Sequence, residues 1–150
     1  ELIETKSREG ENLQKDILLK LEEISNYLSF IEDKAPQIVE DYYNRLREKV
    51  ADLLGDTKIE ESVIATEVAT LADKVCVDEE IVRLKSHISN MKDTIDEKDG
   101  IGRKLDFITQ EMNREANTIL SKVNDLEVTD VAINLKTEVE KVREQIQNIE

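Results

Sequence analysis

An all-α fold of amphipathic helices is what this sequence predicts, on three observations. Apolar residues recur at three- and four-residue spacing along most of the 150 residues, which places one buried stripe on each helix. With four Gly and one Pro, turn formers are too scarce for a β-sandwich. Aromatic residues make up 3% against 37% charged ones, the balance of helical and coiled-coil proteins. At 39% hydrophobic residues the chain can fill one domain core, provided those residues are gathered onto faces.

About six helices follow in order. Leu13, Ile17, Leu21, Ile24, Leu28 and Ile31 make a single stripe, and Asp33-Lys34-Ala35-Pro36 is expected to interrupt it, because Pro disfavours helix in the residue before it and suits the first turn of the next helix. Val39, Tyr42, Tyr43, Leu46, Val50 and Leu53 mark a second helix stopped by Gly55, so residues 1–54 read as a long antiparallel hairpin. Residues 58–150 read as a helical bundle. Its third helix carries Ile64, Val68, Leu71 and Val75, with Ala65, Ala69 and Ala72 admitting a close neighbour. Asp78 is the expected cap of a fourth, whose coiled-coil-like seam of Ile81, Leu84, Ile88, Met91 and Ile95 ends at Asp99-Gly100. A fifth spans about 102–123. A sixth, from about 129, buries Ala132, Leu135, Val139, Val142, Ile146 and Ile149. No repeat or low-complexity tract divides the chain, and 1–150 reads as one domain.

Several function classes fall away. The lone Cys76 forms no internal disulfide and no signal sequence opens the chain, so a cytoplasmic setting is expected. No apolar run approaches the ~20 residues of a membrane span. A net charge of −14 argues against simple electrostatic binding to nucleic acid or anionic membrane, and DNA is not an expected partner. The charge is uneven, however. Residues 83–122 hold eight bases against seven acids, a net of +1, whereas the remainder holds 13 bases and 28 acids, a net of −15. A surface that meets a polyanion belongs in 83–122.

Within that window, Gly102 to Lys122 departs from the Glu- and Lys-rich surface of the other helices. At about 100° per residue, Leu105, Ile108, Met112, Ala116, Ile119 and Val123 share the core face, and Arg103, Phe107, Gln110, Arg114, Asn117 and Ser121 lie opposite. A Phe between two guanidinium groups can stack a splayed base, fill a partner's pocket, or pack against another helix. Lys104, Glu111, Glu115 and Lys122 flank it. Glu111 and Glu115 stand one turn apart, a like-charge spacing with a small cost in an isolated helix. Their oxygens suit Mg²⁺ or Mn²⁺, although Arg114 can neutralise Glu111 instead. His87, the single histidine, could work as acid or base near neutral pH or serve as an ordinary structural residue. Cys76, in an apolar stretch, reads as packing. No Gly-rich phosphate loop, zinc-type Cys/His cluster or Gly-x-Ser-x-Gly elbow is present.

Four blocks, Arg83-Leu-Lys-Ser-His-Ile88, Gly102-Arg-Lys-Leu-Asp-Phe107, Gln110-Glu-Met-Asn-Arg-Glu-Ala-Asn117 and Arg143-Glu-Gln-Ile-Gln-Asn-Ile-Glu150, together resemble the C-terminal region of the YicC-like (YloC-like) bacterial endoribonuclease family, over the whole chain. Leu120, where the family often has a small residue, and Ile101, near which it has a Pro, touch packing and turn shape more than chemistry. The resemblance implies a metal-dependent endoribonuclease about twice this length, assembled as a homo-oligomer, with a hexamer the candidate assembly of the full-length protein. It also implies that this chain, which opens at Glu1 without an initiator Met, is a C-terminal fragment.

Carried onto this sequence, the resemblance implies Glu111, Glu115 and His87 as catalytic residues, and Glu111, Glu115 and Asp106 as ligands of Mn²⁺ or Mg²⁺. The RNA contacts would be Arg103, Lys104, Phe107, Arg114, Asn117 and Lys122. Two alternatives stay open. One is a structural oligomerisation module whose partner half binds and cuts RNA; the other is an RNA-contacting arm without chemistry. Whether the acidic side chains converge on an ion or pair with Arg discriminates among the hydrolase and these two readings.

Overall fold

The computed structural model describes residues 2–55, 60–97 and 101–148. Those residues are helical with short connections: α1 Leu2–Leu54, α2 Glu61–Val75, α3 Asp78–Ile95, α4 Ile101–Lys122 and α5 Leu126–Gln147. The all-α expectation holds. The expected hairpin over 1–54 does not, because its two helices are one continuous helix that carries Pro36 inside it. A helix-interior Pro removes one backbone hydrogen bond and costs about 3 kcal/mol. Here the ring is on the exposed side, one turn from Glu32, so the carbonyl it leaves unpaired faces water. On the other side the apolar stripe runs through without a break, Ile31, Ala35 and Ile38 all being buried.

A four-helix arrangement results, with α1 as one wall rather than a separate hairpin beside a 58–150 bundle. α1 packs on α3 and α5, and α4 packs on the same two from the opposite corner. Cross-helix bonds fix the directions. Gln14 near the start of α1 donates to the carbonyl of Ile95 at the end of α3 at 3.0 Å. Gln145 at the end of α5 reaches Asp16 at 3.3 Å. Arg83 early in α3 meets Glu115 late in α4 at 2.8 Å, and Asp106 early in α4 meets Arg143 late in α5 at 3.2 Å. Every neighbouring pair is therefore antiparallel, the up-down arrangement that short connections favour.

The core is made of four of the six stripes read from the sequence. Ile17, Leu21, Ile24, Leu28 and Ile31 of α1, Ile81, Leu84, Ile88, Met91 and Ile95 of α3, Leu105, Ile108, Met112, Ala116 and Ile119 of α4 with Val123 just beyond it, and Ala132, Leu135, Val139, Val142 and Ile146 of α5 are all buried, and Ala35 and Ile38 extend the α1 stripe. The stripe from Val39 to Val50 is only half-buried. Leu13 is half-buried. Helix termini differ slightly from expectation. Asp78 is the first residue of α3, after Val77 as N-cap, and helps place three acids in the first turn. α5 starts earlier than expected, where the Asp125 carboxylate caps the helix by accepting from the Val128 N–H at 3.1 Å.

Beyond Ile38, α1 has no fully buried residue among the described side chains, although its next turns, Asp41 to Glu48, still flank the α4–α5 connection at Asn124 to Leu126. α2 runs back along α1, tied by an Arg47–Glu61 ion pair. Gly55 ends α1 as read from the sequence, with φ of 58° and its N–H on the Ala51 carbonyl at 3.1 Å. Burial along this arm is poor: Ile64 and Val68 are half-buried, Leu53 is 78% exposed, and Ala65 and Ala69, expected to admit a close neighbour, face outward. The Asp56-Thr57 part of the expected turn, the Asp99-Gly100 break and the Ile149 end of the last seam lie outside the described residues, as does the Leu71 side chain.

Candidate functional site

α4 has α3 on one side, α5 on the other and a solvent-facing back, and its sequence sorts accordingly. Glu111, Glu115, Lys104 and Lys122 point toward α3, Asp106, Thr109 and Asn113 toward α5, and Arg103, Phe107, Gln110, Arg114, Asn117 and Ser121 outward. Phe107 is 63% exposed, so the reading in which it packs against a neighbouring helix is excluded. It stands between Arg103 and the Arg114 side chain, which is 73% exposed.

On the α3 side the polar groups form a chain of alternating charge. Glu115, only 6% exposed, accepts from Arg83 Nε at 2.8 Å. Arg83 also reaches Glu79 at 3.4 Å and Glu80 at 3.6 Å. Lys122 donates to Glu80 at 2.7 Å and to the Cys76 carbonyl at 3.1 Å. The bond to the Glu115 carboxylate, outweighing partial desolvation, raises the Arg83 pKa above its already high ordinary value. His87 lies one turn beyond Arg83 on the same face of α3, half-buried. The antiparallel register that joins Arg83 to Glu115 brings His87 level with Glu111, one turn back along α4. Two of the expected catalytic carboxylates and the histidine thus share one seam. Glu111 is paired along its own helix with Arg114 at 3.7 Å.

On the α5 side Asp106 accepts from Arg143 Nε at 3.2 Å and from Gln110 at 3.0 Å. Asp106 lies about 140° around α4 from Glu111 and about 180° from Glu115, so the expected three-carboxylate ion site is not assembled. Among the described residues no group of three His, Cys, Asp or Glu side chains stands within metal-holding range. Each of the three carboxylates is engaged by an arginine instead. As arranged in one chain, this donor set does not fit a carboxylate metal cage.

The expected RNA contacts divide. Arg103, Phe107, Arg114 and Asn117 are on the exposed back of α4. Lys104 is exposed but paired with Glu97 at 2.9 Å. Lys122 is not on that surface, being half-buried and committed to Glu80 and Cys76. At Cys76 the Asp78 backbone N–H pulls the thiol pKa down, but burial and the nearby Asp78 carboxylate outweigh it and leave the pKa raised. A raised thiol pKa keeps the sulfur protonated near neutrality, in line with a packing role.

Sequence reasoning missed Arg83, Glu80 and Arg143 as parts of these networks. The signals were present: Glu80 is an acid next to the apolar seam at Ile81, Arg83 stands one turn from His87, and Arg143 adjoins the core residue Val142. Nothing in the spacing says which carboxylate each would meet.

Comparison with known proteins adds the following. The family model described as "Endoribonuclease YicC-like, C-terminal" matches residues 31–150. A protein of Clostridioides difficile (strain 630) named "Probable endoribonuclease YicC" is 48% identical over 150 residues, which cover 99% of this chain and 51% of that protein. A protein of the same name from Haemophilus influenzae (strain ATCC 51907 / DSM 11121 / KW20 / Rd) is 33% identical over 150 residues, 100% of this chain and 52% of that protein. The chain spans about half the length of these curated relatives. By a match that covers α3, α4 and α5 entirely, the chain belongs to the YicC-like endoribonuclease family, as its C-terminal domain.

Proposed function

We propose that this chain is the helical C-terminal part of an endoribonuclease, with the back of α4 holding the RNA strand and the α3–α4 seam supplying the acid and base. The observation that carries this reading is the exposed Arg103, Phe107 and Arg114 on a chain of net charge −14, beside a seam that holds His87 level with Glu111. Acidic surface elsewhere repels the backbone of a polyanion, so RNA is confined to this side. Arg103 and Arg114 meet phosphates and Phe107 stacks one base.

Glu111 then takes the proton of the attacking hydroxyl as its oxygen forms the new P–O bond. His87, as the acid, gives a proton to the oxygen that leaves as the old P–O bond breaks. Arg83 and Arg114 stabilise charge that builds on the phosphoryl oxygens. Glu115 acts through Arg83 and is a positioning residue. A divalent ion, if used, would need ligands brought by another part of the protein or another copy, and no step above depends on one. RNA as substrate implies a cytoplasmic setting, and the base-stacking surface carries no feature that selects DNA.

The oligomerisation reading draws on a separate observation, the poorly buried arm of α1 and α2, where Leu53 and Val63 are 78% and 50% exposed. A homo-oligomer joined through that arm would leave the α4 surface accessible, so both readings can hold together. Size-exclusion chromatography with light scattering on Leu53→Glu tests the arm: a smaller assembly than wild type is expected, and an unchanged one would move the interface elsewhere. Cleavage of structured RNA by the whole protein carrying His87→Ala or Glu111→Gln, with assembly state measured alongside, tests the nuclease reading.

A further inference from the structure

On the side of α4 away from the proposed acid and base, an open groove of about 280 Å³ runs between α4 and α5. Thr109 and Asn113 line it from α4, and Val139, Glu140, Arg143 and Glu144 from α5. Its volume falls just short of the ~300 to 1,000 Å³ typical of sites for drug-sized molecules, so it suits a single planar ring system. The Asn113 carbonyl oxygen is buried without a hydrogen-bond partner among the described residues, an arrangement that costs stability unless something donates to it. Glu144 makes no ion pair among the described residues, and Glu140 has only a 4.0 Å contact with Lys136. Arg143 is held by Asp106 through Nε alone at 3.2 Å, which leaves the two terminal nitrogens of its planar fork to face a ligand.

The groove thus offers several acceptors beside the rigid donor pair of Arg143, and the Gln147 carboxamide, which also lines it, can donate or accept. An anion alone is the wrong match, since Glu140 and Glu144 outnumber Arg143. Among the RNA bases, guanine alone has two adjacent donors on one edge, N1–H and the N2 amine, and two adjacent acceptors, O6 and N7, on the next. Arginine paired with O6 and N7 is a recurrent specific contact to guanine. Adenine lacks the N1 proton, cytosine has adjacent acceptors at N3 and O2 but no adjacent donor pair, and uracil alternates acceptor, donor and acceptor.

We propose that the α4–α5 groove is a guanine-reading subsite, with Asn113 and Glu144 accepting from N1–H and the N2 amine and Arg143 donating to O6 and N7. This rests on the nuclease reading for its biological substrate, a guanosine in single-stranded RNA splayed out near the cleaved bond. The proposal adds the base identity and a site that the acid–base seam does not include.

The test titrates guanosine, inosine and adenosine 5′-monophosphates into the whole protein and follows binding by calorimetry. Guanosine monophosphate is expected to bind roughly tenfold tighter than adenosine monophosphate, a bidentate contact being worth that order of discrimination. Inosine monophosphate, which lacks the N2 amine, should fall between. Asn113→Leu and Arg143→Lys should each bring guanosine monophosphate to the adenosine level. Equal affinities in the wild type, no measurable binding of any of the three, or a preference that survives both substitutions would overturn the proposal. Cleavage of a single-stranded RNA that contains all four bases is measured in parallel. Guanine selection without any cleavage would sink the nuclease reading and leave the subsite, and cleavage without selection would sink the subsite alone.

Discussion

Phe107 and Glu115 sit two turns apart on the same helix and illustrate opposite roles for a side chain. Phe107, 63% exposed, contributes little to the core, and in the proposed reading it serves RNA instead. Phe107→Ala is expected to change stability by less than about 0.5 kcal/mol while weakening RNA binding by about 1 to 3 kcal/mol, the range for a lost stacking platform. Thermal unfolding and fluorescence anisotropy measure the two effects separately. Glu115 is 6% exposed but its partner Arg83 has a side chain 47% exposed, so Glu115→Gln removes a charge-assisted bond that water partly screens and should lower the unfolding midpoint in chemical denaturation. Because the Arg83 pKa is raised, its side of the pair is intact at every pH below the ordinary guanidinium value, and alkaline buffers up to about pH 10 should leave the pair in place. Cys76, with its pKa raised, should alkylate with iodoacetamide at pH 7.5 more slowly than a free cysteine. A rate equal to or above that of free cysteine would contradict the packing role.

Helix by helix, periodicity was a sufficient guide wherever burial is deep. The stripes of α3, α4 and α5 coincide with the buried residues, because three- and four-residue spacing leaves one face that can meet a neighbour. Pro36 is where local chemistry misled. The rule that Pro ends a helix assumes nothing offsets the lost hydrogen bond, and here buried Ile31, Ala35 and Ile38 hold α1 straight through. Pro36→Ala should restore that bond and stabilise the protein by about 1 to 3 kcal/mol, read from chemical denaturation. No gain would mean that α1 bends or ends there in solution. The arm of α1 and α2 was legible as amphipathic helix, but its exposure was not, since a spacing rule says which face is apolar and not whether anything covers it.

At the scale of the molecule, the acidic balance and the exposed face of α4 make a statement about salt. An interface that relies on two guanidinium groups and one aromatic ring should show a weak salt dependence, with log K falling against log salt at a slope of about −1.4. A slope several times steeper would place the RNA on a basic surface elsewhere in the protein. The candidate site was legible as a polar helix and a family block. Its internal pairing was not, because Arg83, Glu80 and Arg143 reach α4 only through the antiparallel order of the bundle, which brings residues 32 and 37 positions apart into contact. The spread of Asp106, Glu111 and Glu115 around α4, by contrast, follows from their positions at about 100° per residue and was legible in the sequence.

The central claim is that the acid and base lie on the α3–α4 seam. It is tested most directly by RNA cleavage with the whole protein, wild type beside His87→Ala and Glu111→Gln, each checked for unchanged assembly and unfolding midpoint. A loss of at least about 10²-fold in cleavage rate for each variant, the size expected for a general acid or base, with RNA binding retained, is the predicted result. Wild-type cleavage by both folded variants would contradict the account and place the chemistry outside this chain.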